Sequence, residues 1–147
     1  MALTEFSTLT TVQQRANSKR VLGWTDKNSD TIPDPGTLTQ GYQFASGLIF
    51  SYLTRRYGET VISAWTISTA PERVLSISDD LCVYWFSSSN NSQSPLLLQL
   101  YQEALLSLER IRDGVDDLYG VTEDLSERTE VDDADSSFDA DIVYYNE

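Results

Sequence analysis

The chain lacks histidine altogether and has a single cysteine, Cys82, among its 147 residues. Without histidine it has neither the commonest general base nor the commonest metal ligand, and catalytic triads of the serine, histidine and aspartate kind are excluded. One cysteine forms no internal disulfide and no zinc knuckle, which is typical of a reducing compartment. Its apolar neighbours predict a small buried residue. We therefore expect a protein that is not an enzyme and that uses no cofactor.

Long hydrophobic runs are also missing. No apolar stretch approaches the ~20 residues that cross a bilayer, and residues 1–9 lack the charged start and apolar core of a signal peptide. These absences predict a soluble protein that is not exported by that route and has no membrane partner. Hydrophobic residues nevertheless make up 40% of the chain, which is enough for one domain with a modest core.

Basic residues are scarce, and the acidic excess is confined to one end of the chain. The formal net charge is −13, from 23 acidic and 10 basic side chains. From Val115 onward there are 12 carboxylates and one basic residue, Arg128, so this part carries −11 and the preceding part only −2. The division predicts a nearly neutral helical domain, residues 1–114, followed by an acidic C-terminal arm, residues 115–147.

Hydrophobic periodicity and capping residues predict four helices. They are expected at about residues 8–22, 37–57, 71–86 and 94–113. Ser94 and Pro95 mark the start of the last helix, and Gly23, Gly58 and Gly114 are expected to end three of the four. Residues 59–68 are rich in β-branched and aromatic side chains and predict a short β segment. The predicted fold class is all-α: a small four-helix bundle with an extended acidic arm and a short β piece near residues 59–68.

The second predicted helix belongs to a longer pattern. It follows the acidic loop 26–34, has a small-residue middle at residues 41–47, ends in Arg55-Arg56-Tyr57 and precedes Ala70-Pro71 at the start of the next helix. With this order of parts the chain resembles the head-to-tail adaptor (connector) proteins of tailed phages and prophages, over roughly residues 6–114. Arg56 and Tyr57 match the arginine-tyrosine ending of that family, whereas the match leaves the role of Arg55 open.

The resemblance implies a structural protein of the virion neck, made in the host cytoplasm. It implies a homo-oligomeric ring, expected to be a dodecamer, whose partners are the portal protein and a tail-side connector or tail protein. DNA would pass through the ring without specific binding. An acidic surface facing the channel would repel the phosphates and keep the genome mobile during ejection.

Two parts of the chain are candidate partner-binding sites. Arg55, Arg56 and Tyr57 suit a protein interface, because arginine is enriched at contacts and pairs bidentately with carboxylates. The alternative is that the arginines interact only with the negative end of their own helix. In the acidic arm, apolar residues alternate with acids, which suits docking on a neighbouring subunit or the portal as a strand or in a groove. The alternative is a solvated tail. The arm residues expected to dock are Phe138, Ile142, Val143, Tyr144 and Tyr145.

The acidic loop is a third candidate site. Asp26, Asn28, Asp30 and Asp34 place oxygen atoms at alternate positions and resemble the start of an EF-hand calcium loop. The glycine and the closing glutamate of that loop are both replaced by threonine, so a turn that caps the second helix is the competing interpretation. If the loop binds calcium, the chain would instead be a calcium-responsive regulatory module with the acidic arm as its target.

Overall fold

The computed structural model describes residues 3–90, 94–118 and 121, and these residues form six helices. The helices are α1 (Leu9–Arg15), α2 (Ser18–Thr25), α3 (Pro35–Tyr57), α4 (Glu59–Ser63), α5 (Glu72–Ser89) and α6 (Pro95–Arg112). No strand occurs among the described residues, and the all-α prediction is confirmed. Three of the four predicted helices correspond to α3, α5 and α6, and the first corresponds to α1 and α2 together.

The first predicted helix is divided by its own capping residues. Ala16 leaves helical geometry at the end of α1, and the Asn17 side chain then accepts a hydrogen bond from the Lys19 N–H (2.8 Å) as the cap of α2. Gly23 does not end this helix, which continues to Thr25. A glycine in a helix interior costs only about 0.5–1 kcal/mol relative to alanine, so the burial of neighbouring residues can outweigh it.

The predicted β segment near residues 59–68 is wrong. Glu59–Ser63 form α4, and a turn follows before α5. Gly58 separates α3 from α4 with a φ of +88°, a left-handed conformation that glycine adopts without steric cost. Ile62 and Trp65 are both buried in this arrangement. The local β propensity is overridden, because no described strand offers a pairing partner and the helical turn still buries the large side chains.

The central helix is α5, which packs against α1, α2, α3 and α6. It lies close to α3 at Gly41, where an added Cβ would lie 2.4 Å from Cε1 of Phe86. Cys82 is buried, as predicted, and its thiol donates to the Gly41 carbonyl at 3.6 Å. Burial raises the pKa of that thiol to about 12. Because the start of α3 meets the end of α5, the two helices are antiparallel.

A buried polar cluster attaches the N-terminal residues to α5. The Ser7 hydroxyl donates to the Asp79 carboxylate (2.8 Å) and lies 2.6 Å from the Ser78 hydroxyl, while the Thr11 hydroxyl also donates to Asp79 (3.0 Å). Burial raises the pKa of Asp79, and the hydrogen bonds from Ser7 and Thr11 oppose that shift. No sequence pattern indicates this cluster, since its members lie about 70 residues apart in the chain.

Candidate functional site

Arg56, at the end of α3, is turned inward toward the end of α6. Its guanidinium donates to the carbonyls of Ile111 (2.8 Å) and Asp116 (2.6 Å) and to the Asp117 carboxylate. It also lies over the Tyr57 ring, 5.0 Å from the centroid. Only 8% of the Arg56 side chain is exposed. Arg56 therefore has an internal structural role in the subunit, and a role in partner binding stays a prediction.

Asp116 links α5 and α6 at the same place. Its carboxylate accepts from Arg73 at the start of α5 (3.0 Å) and from Arg110 near the end of α6 (3.1 Å). Hydrogen bonds from Arg110 and Arg73 lower the pKa of Asp116. We call residues 113–118, with Arg56, Arg73 and Arg110, the arm root. In the arm root, the first acidic residues of the C-terminal part are held by three helices.

Tyr57 is a buried residue that contacts the arm root. Its hydroxyl accepts a hydrogen bond from the Leu118 N–H (3.2 Å), and the exposed fractions of Tyr57 and Leu118 are 1% and 3%. This burial gives Tyr57 an internal role in the subunit, and its role in partner binding stays a prediction. Gly114 turns the chain with a φ of +84°, but the packed part of the molecule continues to Leu118. The domain boundary predicted at residue 114 from charge stays a prediction, and the contacts of the described residues continue past it.

The remaining candidates for partner binding are placed differently. Arg55 is exposed, and its positive charge helps to lower the pKa of Asp113, for which the main cause is a hydrogen bond from Arg112. The arm residues Phe138, Ile142, Val143, Tyr144 and Tyr145 lie outside the described residues. Their docking stays a prediction.

The acidic loop brings three of its four candidate ligands together. Oxygen atoms of Asp26, Asp30 and Asp34 lie within 4.8 Å of one another. Thr31 stands where an EF-hand has glycine, and it adopts the left-handed conformation of that position, with a φ of +65°. This conformation is unfavourable for a β-branched residue and must be held by the contacts around it.

Those contacts come from the same carboxylates. Asp26 accepts from the N–H groups of Asp30 (3.1 Å) and Thr31 (2.9 Å), and Asp34 accepts from the N–H of Lys27 (2.9 Å). The Asn28 side chain accepts from Asp30 N–H at 3.3 Å. Desolvation acts to raise the pKa of Asp26, but the backbone hydrogen bonds prevail and the pKa is lowered. The loop acids thus shape the turn before α3, and calcium binding stays a prediction.

Arg73, Arg110 and Asp116 were not predicted to be members of a site. Charge alone placed Asp116 in the arm and the two arginines in the body. A useful signal was available, however, because basic residues are rare in this chain and five of its ten lie in two short stretches, residues 55–73 and 110–112. Three of these five residues, Arg56, Arg73 and Arg110, are members of the arm root.

None of the helices in the described residues is long and apolar enough to cross a membrane.

Comparison with known protein families places this helical chain among proteins of bacterial viruses. The sequence model of the family described as Bacteriophage Mu, Gp36 matches residues 6–136. The match covers most of the chain, which therefore belongs to the phage Mu Gp36 family and is a phage protein. The comparison with curated proteins gave no match.

Proposed function

We propose that this phage protein is a non-enzymatic head-to-tail adaptor: a subunit that forms a ring under the portal, lines a channel for the genome, and uses its acidic arm to dock on a neighbouring subunit or the portal. The observation that carries the proposal is the arm root. Side chains of three helices, α3, α5 and α6, contact the chain between Ile111 and Leu118. An arm that transmits attachment needs such a fixed origin on the folded body.

The charge distribution supports the same role. The body is nearly neutral, and the arm adds −11 to each subunit. Several arms brought together in one ring would repel each other within a screening length of about 10 Å unless they spread apart or met basic partner surfaces. The same negative charge would keep DNA phosphates away from a channel wall, so that the genome passes without being bound.

A ring requires a heterologous interface, in which one surface of the subunit contacts a different surface of the next and the rotation closes. We expect a homo-oligomer, as a dodecamer, in the neck of the virion between the portal protein and a tail-side connector or tail protein. Arg55 is the exposed member of the predicted arginine pair and is available for such contacts.

Electron microscopy and mass photometry of the purified protein, alone and with the portal protein, test ring formation and portal binding. The docking role is tested by deleting Asp135–Glu147. The truncated protein should remain folded but bind the portal or the adjoining tail component more weakly.

A matched variant separates the aromatic and aliphatic residues from the charge. It keeps every carboxylate of the arm and replaces five side chains with serine: Phe138, Ile142, Val143, Tyr144 and Tyr145. If both variants assemble into infectious particles as well as the full chain, the arm is a solvated extension. A full-length protein that stays monomeric with and without the portal would refute the adaptor function itself.

The alternative, a calcium-responsive module, has one observation in its favour: the convergence of Asp26, Asp30 and Asp34. Calorimetric titration with calcium decides it, with a variant carrying Asp26→Asn and Asp30→Asn as control. Heat that saturates in the unchanged protein and disappears in the variant would support the module. Titration without such heat would leave the loop as a turn that positions α3.

A further inference from the structure

The helices α1 and α2 carry a small positive surface. Between Phe6 and Thr25 the sequence has three basic residues and no acidic one. These are Arg15, Lys19 and Arg20, all exposed, and we call them the basic face. Arg15 pairs with Asp80 of α5 at 3.4 Å. In the part of the chain that the structure describes, no carboxylate lies within ion-pair distance of Lys19 or Arg20.

The basic face has a defined geometry. The Arg20 guanidinium lies over the buried Trp24, 5.1 Å from the ring centroid, which limits the positions that the charge can take. The Asn90 amide donates to the Gly23 carbonyl (3.5 Å) and so ties α2 to the end of α5. Asn90 also accepts from the Lys27 ammonium (3.4 Å), but Lys27 belongs to the acidic loop, whose Asp26, Asp30 and Asp34 outweigh its charge, so the basic face is limited to α1 and α2.

The basic face extends along α5, since Arg15 donates to the Ser76 carbonyl (3.4 Å) and pairs with Asp80 (3.4 Å), while Lys19 and Arg20 belong to α2, which reaches the far end of α5. Arg73 at its start pairs with Asp116, and Asn90 at its end contacts α2. At a rise of about 1.5 Å per residue, the two positions are separated by about 26 Å along the helix. A segment that leaves the body near Leu118 must cover that distance to reach Lys19 and Arg20.

Residues 122–147 have both the charge and the length to do so. They contain ten carboxylates and one arginine, a net charge of −9. Their 26 residues span at most ~3.3–3.6 Å each, or about 85 Å in all, roughly three times the distance required. We propose that in the isolated subunit the acidic segment 122–147 lies against the basic face of its own chain. A tethered segment has an effective concentration in the millimolar range, so a second copy competes poorly for the same surface.

The contact is an electrostatic one, and it gives the arm two alternative partners. In the isolated subunit the acids are neutralised in part by Lys19 and Arg20 of the same chain. A partner with a more basic surface would displace them and release the basic face at the same time. The proposal concerns the isolated subunit and does not depend on ring formation.

Paramagnetic relaxation enhancement tests this contact. A spin label on Asp139→Cys is the probe, because the native Cys82 thiol is buried with a pKa raised to about 12 and reacts poorly. In ~0.01 M salt the label should broaden the amide signals of Lys19 and Arg20. In ~1 M salt, where the screening length falls from ~30 Å to ~3 Å, the broadening should disappear.

Two variants of the labelled protein locate the contact. Lys19→Glu with Arg20→Glu should abolish the broadening of α2 signals. Arg55→Glu, which reverses an exposed charge at the opposite end of α5, should leave the broadening unchanged. Equal broadening in the first variant, or none in the unchanged protein at low salt, would overturn the proposal.

Mixing experiments separate the remaining outcomes. Broadening of an isotope-labelled chain by spin label on a different chain, rising with concentration, would mean that the arm binds a second copy instead. A short DNA duplex should not shift the Lys19 and Arg20 signals of a protein truncated after Val121 by more than its other exposed signals. A saturable shift confined to those two residues, in a protein whose arm gives no broadening, would assign the basic face to phosphates and refute the intramolecular contact.

Discussion

Replacing Arg56 with alanine should destabilise the folded subunit by about 2–4 kcal/mol. The change removes a charged donor from two carbonyls, those of Ile111 and Asp116, and each hydrogen bond to a charged group contributes roughly 1.5–3 kcal/mol. The two losses are not additive, and the pair with Asp117 adds little, because that carboxylate is 79% exposed. The expected loss is a large share of a total stability of about 5–15 kcal/mol.

Urea denaturation measures this loss. At a slope of about 2 kcal/mol/M the midpoint should fall by about 1–2 M, with the slope unchanged. The control is Arg55→Ala, which removes an exposed neighbour of the same type and should change the free energy of unfolding by less than about 0.5 kcal/mol. Lysine at position 56 should restore only part of the stability, because one ammonium does not reproduce the planar set of donors. An alanine variant as stable as the unchanged protein would refute the internal role assigned to Arg56.

Three further changes test the packing and the buried charge. Gly41→Ala should destabilise the folded protein by at least ~1–3 kcal/mol, because the new Cβ would lie 2.4 Å from the Phe86 ring. Gly47→Ala, where the added Cβ meets open space, should stabilise it by about 0.5–1 kcal/mol. Thermal melting of the two variants compares these effects. Leu118→Ala should cost about 2–5 kcal/mol in urea denaturation and Val115→Ala almost nothing, and equal effects would place the edge of the packed body at residue 114. Burial raises the pKa of Asp79 above 3.8, so the folded protein binds this proton more tightly than the unfolded chain does. The contribution of Asp79 to stability therefore decreases as the pH rises above that value. Asp79→Asn should remove this part of the pH dependence of the free energy of unfolding, measured by denaturation.

Local signals explain which helices were predictable from the sequence. Ser94 caps α6 by accepting from the Leu97 N–H, and Pro95 is its first residue, as predicted. Both signals act within one helical turn and need no tertiary contact to be recognised. The residues after Gly58 also have a local preference for β structure, but they form a helix because that conformation buries Ile62 in the core.

The arm root was not predictable for the opposite reason. Arg56 and its acceptors are separated by 55 to 61 residues, and nothing in the local sequence of either stretch indicates the other. The local sequence around an arginine at a helix end is the same whether its side chain contacts a partner or its own chain. The charge count also gave no sign of these contacts, because Asp116 belongs to the acidic arm by composition but pairs with Arg73 and Arg110 of the body.

The arm root also decides how the subunit responds to mechanical load. A pull on the chain beyond Leu118 acts first on the contacts of Tyr57 and Arg56, which belong to α3, and on the Arg73 contact, which belongs to α5. The load would therefore be carried by α3 and α5 as well as by α6, instead of peeling α6 alone from its C-terminal end.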